Sequence, residues 1–234
     1  MVHWREYSKN PGFKLLEHEA FQLLEEYKIP YPPYGLAKTP EEAGDIASKI
    51  GFPVVLKVVS PDIVHKTDVG GVILGVRSAE EAVEGFKRIV ENAKARVPSA
   101  RIEGVLVQKM LPPGLEVIVG GIRDGTFGVT VMFGLGGVFT ELFRDVSFRV
   151  WPFTFNEALE MIHEIRSAAL LRGFRGLPPV NAHSIADIVL KLGKLLEEHP
   201  EIESVDLNPV FAYPNEALVV DARFILVKYP ERYM

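Results

Sequence analysis

An α+β fold in two lobes is what this sequence predicts, on three observations. Residues 34–97 alternate short apolar strands with capped helices, residues 102–151 are mostly strand, and the chain closes on a hairpin. At 234 residues and 47% hydrophobic side chains, it has enough apolar surface for one large domain or two small ones.

The first element is an amphipathic helix. Phe13 to Tyr27 places Leu15, Leu16, Leu23, Leu24 and Tyr27 on one face, and Pro30, Pro32 and Pro33 stop it. Thr39-Pro-Glu-Glu42 is a capping box with proline at the first helical position, opening a helix to about Ile50. Gly51-Phe-Pro53 ends that helix, and Val54 to Val59 follows as a strand, apolar except for Lys57. Gly71 to Val76 is a second strand, and Ser78-Ala-Glu-Glu81 caps a long helix to about Val97. Ile102 to Lys109 is again an apolar strand. Leu115 to Ile122 and Thr126 to Phe133 pair around Arg123-Asp-Gly125, after which Gly134-Leu-Gly-Gly137 interrupts the pattern. Val146 to Trp151 is a strand, Thr154-Phe-Asn-Glu157 caps a helix through about Ile165, and a longer helix runs from about Ser184 to Glu198. Glu203 to Phe211 and Ala217 to Val227 form the final hairpin. The expected organisation is a helical segment over residues 1–30, a first lobe over 31–101 and a second lobe over 102–234.

Composition excludes several functions. Lys and Arg number 26 against 31 Asp and Glu, a net charge of −5, and no basic cluster is interleaved with aromatics, which argues against a nucleic-acid partner. With no cysteine there is no disulfide framework, no thiolate zinc site and no cysteine nucleophile, as in a cytoplasmic protein. The N-terminus has no apolar signal core, and the apolar run around Phe127 to Phe139 is too short and glycine-rich to cross a bilayer, so no membrane partner is expected.

Four constellations carry chemistry. A lysine in an apolar strand needs a matching charge, so Lys57 faces either a protein carboxylate or a bound anion such as phosphate. His65 follows in a polar loop, as a solvated side chain or as a phosphoryl acceptor, since neutral imidazole is a good nucleophile near pH 7. Gly70-Gly71 then allows close backbone approach to a ligand. On the final hairpin, a turn centred on Pro214-Asn215 puts Asn208 opposite Asp221 and Asp206 opposite Arg223. These oxygens suit Mg²⁺, or else they make a solvated polar face with a cross-strand salt bridge. Gly134-Leu-Gly-Gly137 is an anion-binding nest or a plain hairpin turn. The strand end Gln108-Lys109-Met110, with Glu116 nearby, offers hydrogen bonds to an adenine edge and a ribose hydroxyl, or is an ordinary strand end. The remaining histidines, His3, His18, His163, His183 and His199, have no metal-ligand spacing.

Taken together these residues resemble the ATP-grasp fold, in which a nucleotide lies between two α+β lobes. The order matches: strand lysine, adenine hinge, glycine-rich turn, then Asp/Asn and a later Asp. Ser60-Pro-Asp-Ile-Val-His-Lys-Thr-Asp-Val-Gly-Gly71, Val205-Asp-Leu-Asn-Pro209 and Val219-Val-Asp-Ala-Arg223 are similar to the phosphohistidine and C-terminal segments of ADP-forming acetyl-CoA synthetases, within the NDP-forming acyl-CoA synthetase superfamily. The resemblance implies a ligase working with Mg²⁺ and ATP/ADP. His65 would take a phosphoryl group from a partner's phosphohistidine and pass it to ADP as acyl-CoA becomes free acid and CoA. Asp206 would be the acid partner of His65, and Asn208 and Asp221 would hold Mg²⁺. Lys57 and Arg223 would offset phosphate charge, Gln108, Lys109, Met110 and Glu116 would bind adenine and ribose, and Glu141 is carried over with them.

The family also needs a CoA-binding domain and a ligase domain, for which this chain has neither the glycine fingerprint nor room. It therefore looks like a separate β subunit, partnered by an α subunit in a heterotetramer. Two rivals stand beside this reading. A carboxylate-amine ligase of the same fold would lack the covalent histidine but normally needs a further N-terminal domain. A non-catalytic nucleotide-binding regulatory subunit need not keep a nucleophile.

Overall fold

The computed structural model describes residues 14–137 and 144–227. Glu141 and Phe13, the expected start of the first helix, lie outside these residues. The first helix, α1, spans Glu17–Glu26 and buries Leu23 and Leu24 completely. The chain divides into two compact units, and the boundary falls inside α1, after Glu19.

The first unit joins Pro32–Pro112 to the described residues up to Glu19. Its antiparallel sheet runs β1 (Tyr34–Ala37), β4 (Gly104–Lys109), β2 (Val54–Val59), β3 (Val72–Val76). Helices α2 (Pro40–Ile50) and α3 (Ala79–Arg96) pack on it. Thr39 and Ser78 cap them by accepting from the Glu42 and Glu81 N–H groups, each worth about 1 kcal/mol. Glu42 and Glu81 reach back one residue beyond the cap, to the Lys38 and Arg77 N–H groups. Leu56, Val58, Ile89, Val105 and Val107 meet between sheet and helices as a core. The sequence reading put residue 102 onward in the second lobe, and the structure corrects it. β4 is paired on both edges, to β1 and to β2, and belongs to the first unit.

The second unit takes Ala20–Tyr31 and the chain from Pro113 onward. Its sheet runs β10 (Ala222–Leu226), β8 (Ile202–Ala212), β5 (Leu115–Asp124), β6 (Gly128–Leu135), β7 (Val146–Val150), with β9 (Ala217–Val219) also on β8. Helices α4 (Phe155–Glu164) and α6 (Ala182–Glu198) pack together, and α6 covers β5 and β6 with Ile185, Val189, Leu192 and Leu196. Between them lies the short α5 (Ala168–Leu171), and just before it the Arg166 and Ser167 N–H groups donate to the Asp145 carboxylate at 2.7 and 2.8 Å. Nothing in the sequence signals that contact.

Two strand boundaries also differ from expectation. β6 continues through Gly134 and Leu135, where the sequence pattern stopped it. A Cβ on Gly134 would sit 2.9 Å from Val146 Cγ1 and 3.1 Å from the Asp145 carbonyl, so glycine lets β7 pair there. The expected last strand is interrupted at Val220-Asp221, giving β9 and β10.

Candidate active site

His65 stands at the exposed apex of a tied-down loop. Before it, the Asp62 carboxylate accepts from the Arg101 N–H at 2.7 Å, and the Ile63 carbonyl accepts from Lys14 Nζ at 2.6 Å. Beyond it, a one-turn 3₁₀ helix over Thr67–Val69 leads to Gly70, and the Gly71 N–H donates to the Lys66 carbonyl at 2.8 Å. The glycines serve this closure. Gly70 has φ +64°, and a Cβ on Gly71 would meet Val58 Cγ1 at 2.5 Å and the Lys66 carbonyl at 2.9 Å. The backbone is closed and His65 is exposed.

Of the two matches the sequence leaves open for Lys57, the structure shows a protein carboxylate. Lys57 Nζ donates to Glu17 Oε1 at 2.6 Å, and both residues are buried, at 6% and 5% exposure. The other oxygen of Glu17 lies 2.7 Å from Lys66 Nζ, so one carboxylate contacts the strand lysine and the neighbour of His65. Sequence reasoning missed Glu17, Lys66 and Lys14. An acid in the first turn of a helix is ordinary, and nothing local marks Glu17 as the partner of a lysine 40 positions away.

The strand end Gln108-Lys109-Met110 is more committed than a free hinge. Gln108 is buried, Lys109 Nζ donates to the carbonyls of Gly51 and Phe52 at 2.8 and 2.9 Å, and the N–H groups of Lys109 and Met110 donate to Pro33 and Pro53. Those two main-chain donors, which the sequence reading offered to an adenine edge, are already engaged.

In the second unit the hairpin register is the one expected. Asp206 pairs with Arg223, and the Asn208 N–H donates to the Asp221 carbonyl at 3.1 Å. At that level β8 also bulges against β5, where the register shifts between Val117 and Val119. Such bulges re-aim side chains. Asp206, Asn208, Asp221 and Arg223 thus gather at one kinked stretch. The paired row Phe148, Met132, Gly120, Asp206, Arg223 crosses the sheet, and an open depression of about 370 Å³ lies over it. Burial pushes the Asp206 carboxyl above the usual aspartate range; Arg223 works against the shift and the charge of Asp221 adds to it.

The donor set fits a hard cation. Among the described residues no group of three or more His, Cys, Asp or Glu could hold a metal ion by itself. Asn208 and Asp221 offer oxygens only, leaving other positions to water or phosphate, as Mg²⁺ prefers. A cation there would also relieve the repulsion between Asp221 and Asp206.

Glu116 is exposed, and its carbonyl accepts from the Gly136 N–H at 2.7 Å. A Cβ on Gly136 would lie 2.8 Å from that of Glu116, so this glycine is fixed by packing against the residue expected to meet a ribose. Of the expected nest, Gly134 and Leu135 continue β6 and Gly137 has φ +70°; residues 138–143 lie outside the described residues. Lys57, His65 and the strand end belong to the first unit; Glu116, Asp206, Asn208, Asp221 and Arg223 belong to the second.

Fold and site together define an ATP-grasp protein, and the family model described as the ATP-grasp domain matches residues 7–226. The beta subunit of acetate–CoA ligase [ADP-forming] I from Pyrococcus furiosus is 50% identical over 94% of this chain and 95% of its own length. The dinucleotide forming acetyl-coenzyme A synthetase 1 of Ca. Korarchaeum cryptofilum, solved with coenzyme A, Ca-AMPCP and HgCl+, is 52% identical with a TM-score of 0.92, covering 95% of this chain and 97% of that chain. A second structure of that synthetase, with coenzyme A and Mg-AMPPCP, is described as having its phosphohistidine segment pointing towards the nucleotide binding site. It is 49% identical, with a TM-score of 0.82 over 92% of this chain and 93% of that chain. The chain belongs to the ATP-grasp beta subunits of ADP-forming acetate–CoA ligases. No helix among the described residues is long and apolar enough to cross a membrane.

Proposed function

We propose that this chain takes a phosphoryl group on His65 and delivers it to ADP, as the β subunit of an ADP-forming acyl-CoA synthetase. An α subunit forms an acyl phosphate from acyl-CoA and phosphate, releasing CoA, and moves the phosphoryl group to its own histidine, releasing the free acid. A ring nitrogen of His65 then attacks that phosphorus, forming one P–N bond as the partner's P–N bond breaks. A β-phosphate oxygen of ADP attacks in turn, forming the P–O bond of ATP and releasing neutral imidazole. Every step is reversible, and a cytoplasmic heterotetramer with the α subunit is the expected assembly.

The observation that carries this reading is the loop. Its backbone is fastened on both sides of His65 while the imidazole is exposed, which presents a nucleophile to an incoming group without loss of position. Asp206 serves as acid partner for the ring N–H, steadying the charged phosphohistidine. Asn208 and Asp221 hold Mg²⁺, which offsets charge on the nucleotide phosphates. Arg223 adds a fixed positive charge for a transfer governed by positioning and electrostatics. Glu116 meets the ribose, and the adenine edge is met by the main-chain carbonyl side of Gln108 to Met110, since two of the donors there are engaged. Lys57 reaches a phosphate only by sharing itself with Glu17.

The test is direct. The chain, alone and with its α partner, is incubated with Mg²⁺ and γ-labelled ATP. An acid-labile, base-stable phosphoprotein is expected, and the label should be absent from His65→Ala. No labelling under either condition removes the relay.

A further inference from the structure

The short segment Lys14–Glu17 grips the histidine loop on both sides. Lys14 Nζ donates to the carbonyl of Ile63, two residues before His65. Glu17 Oε2 lies 2.7 Å from Nζ of Lys66, the residue just after it. Glu17 is in turn held from below, because its other oxygen accepts from Lys57 on β2 at 2.6 Å. β2 lies inside its sheet, with Lys57 paired to Leu106 on one side and Val72 on the other. A continuous chain of contacts thus runs from the middle of the sheet through Lys57, Glu17 and Lys66 to the backbone that carries His65. The Glu17 side chain is only 3% exposed, so water does little to screen these contacts.

We propose that Glu17 is a positioning residue for phosphoryl transfer, locking the His65 loop to the sheet through Lys57 and Lys66. This rests on His65 being the phosphoryl acceptor. The role is geometric. An in-line transfer to or from an imidazole nitrogen needs the ring held in place while partners approach from solution, and a misplacement near 1 Å costs about a hundredfold in rate. Glu17 touches no reacting atom; it sets where the ring stands.

The test compares Glu17→Gln, Lys66→Met, Lys66→Arg and the Glu17→Gln/Lys66→Met double variant, each with the α partner. Glu17→Gln keeps the volume and removes the charge. Lys66→Met breaks the same link from a partly exposed end and leaves the Glu17–Lys57 pair in place, so it stays informative if the glutamate variant folds poorly. Single-turnover labelling of His65 by Mg²⁺ and γ-labelled ATP should slow about tenfold or more in both single variants, while nucleotide affinity by calorimetry stays within about threefold. Lys66→Arg should restore the rate. The double variant should label no slower than the slower single variant, because both changes break one link. A wild-type rate in Lys66→Met, or losses that multiply in the double variant, overturns the positioning role while the relay stands. A wild-type chain that never labels removes the relay and this role together.

Discussion

Lys57 and Asp206 are both strand residues with apolar neighbours along the chain, but the protein treats their charges differently. Lys57 is 2.6 Å from a buried carboxylate that also contacts Lys66. Asp206 lines an open depression opposite Arg223, with its carboxyl pushed up chiefly by burial and further by Asp221. The first region matches its charge from within and uses the match to hold a loop. The second keeps acidic and amide oxygens at one kinked level of the sheet, an arrangement that gains from an added cation. Substitutions in the first region should therefore cost stability, and those in the second should cost function with little effect on the fold.

The largest effect is expected at Lys57. Lys57→Ala leaves a buried carboxylate with half its partners, and loss of one member of a buried ion pair costs about 3 kcal/mol or more. Urea unfolding measures it, and an apolar replacement of both residues, Lys57→Met with Glu17→Leu, should recover much of the loss. A small cost for Lys57→Ala joined to a large fall in nucleotide affinity by calorimetry would break the contrast and return Lys57 to a phosphate-binding role.

Next comes Gly71→Ala. The new methyl group would stand 2.5 Å from Val58 Cγ1 and 2.9 Å from the Lys66 carbonyl. Overpacking of this kind costs about 1–3 kcal/mol, again read from urea midpoints. Because the strain falls on the carbonyl beside His65, labelling should slow as well. Unchanged stability would mean that the loop is looser than its contacts imply.

What was legible in the sequence follows the same divide. The hairpin register was readable because its turn is short: once Pro214-Asn215 is placed at the tip, Asn208 must meet Asp221 and Asp206 must meet Arg223, as the structure shows. The helix starts were readable because a cap and its partner lie three residues apart, as in Thr39 with Glu42 and Thr154 with Glu157. Long-range pairings were not. β4 enters the first sheet between β1 and β2, although a long helix separates it from both in the chain. Glu17 finds Lys57 across 40 positions with no local mark. Gly71 and Gly136 looked like room for a ligand, whereas each is needed because another part of the chain already fills that space.

Asn208 and Asp221, the proposed metal ligands, should behave oppositely to Lys57. Asn208 is exposed and Asp221 half-buried, so Asn208→Ala and Asp221→Ala should each change stability by only about 0.5 kcal/mol. Phosphoryl transfer at fixed Mg²⁺ should nevertheless fall, and raising Mg²⁺ should recover part of the loss in either single variant. Titrating labelling rate against Mg²⁺ checks this. Unfolding of either variant would make the hairpin a structural element like the histidine loop.

The smallest effect on stability, and the sharpest for the comparison, is expected at Asp206. Its carboxyl is raised above the ordinary aspartate value of 3.8, chiefly by burial, so the folded chain holds that proton more tightly than the unfolded chain does. The corresponding stability is present below 3.8 and is lost as pH rises through the raised value. Asp206→Asn cannot ionise and should escape this loss. Unfolding midpoints should therefore separate on going from acid to neutral pH, with the variant the more stable at neutral pH. The gap should be smaller than the Lys57 effect because Arg223 opposes the shift. The same variant lacks the acid proposed as partner to His65, so its labelling should fall while its stability rises. That opposition of sign marks a group kept for chemistry at some cost to the fold. A variant less stable than wild type at every pH would instead place Asp206 with Lys57, as a charge the fold itself requires.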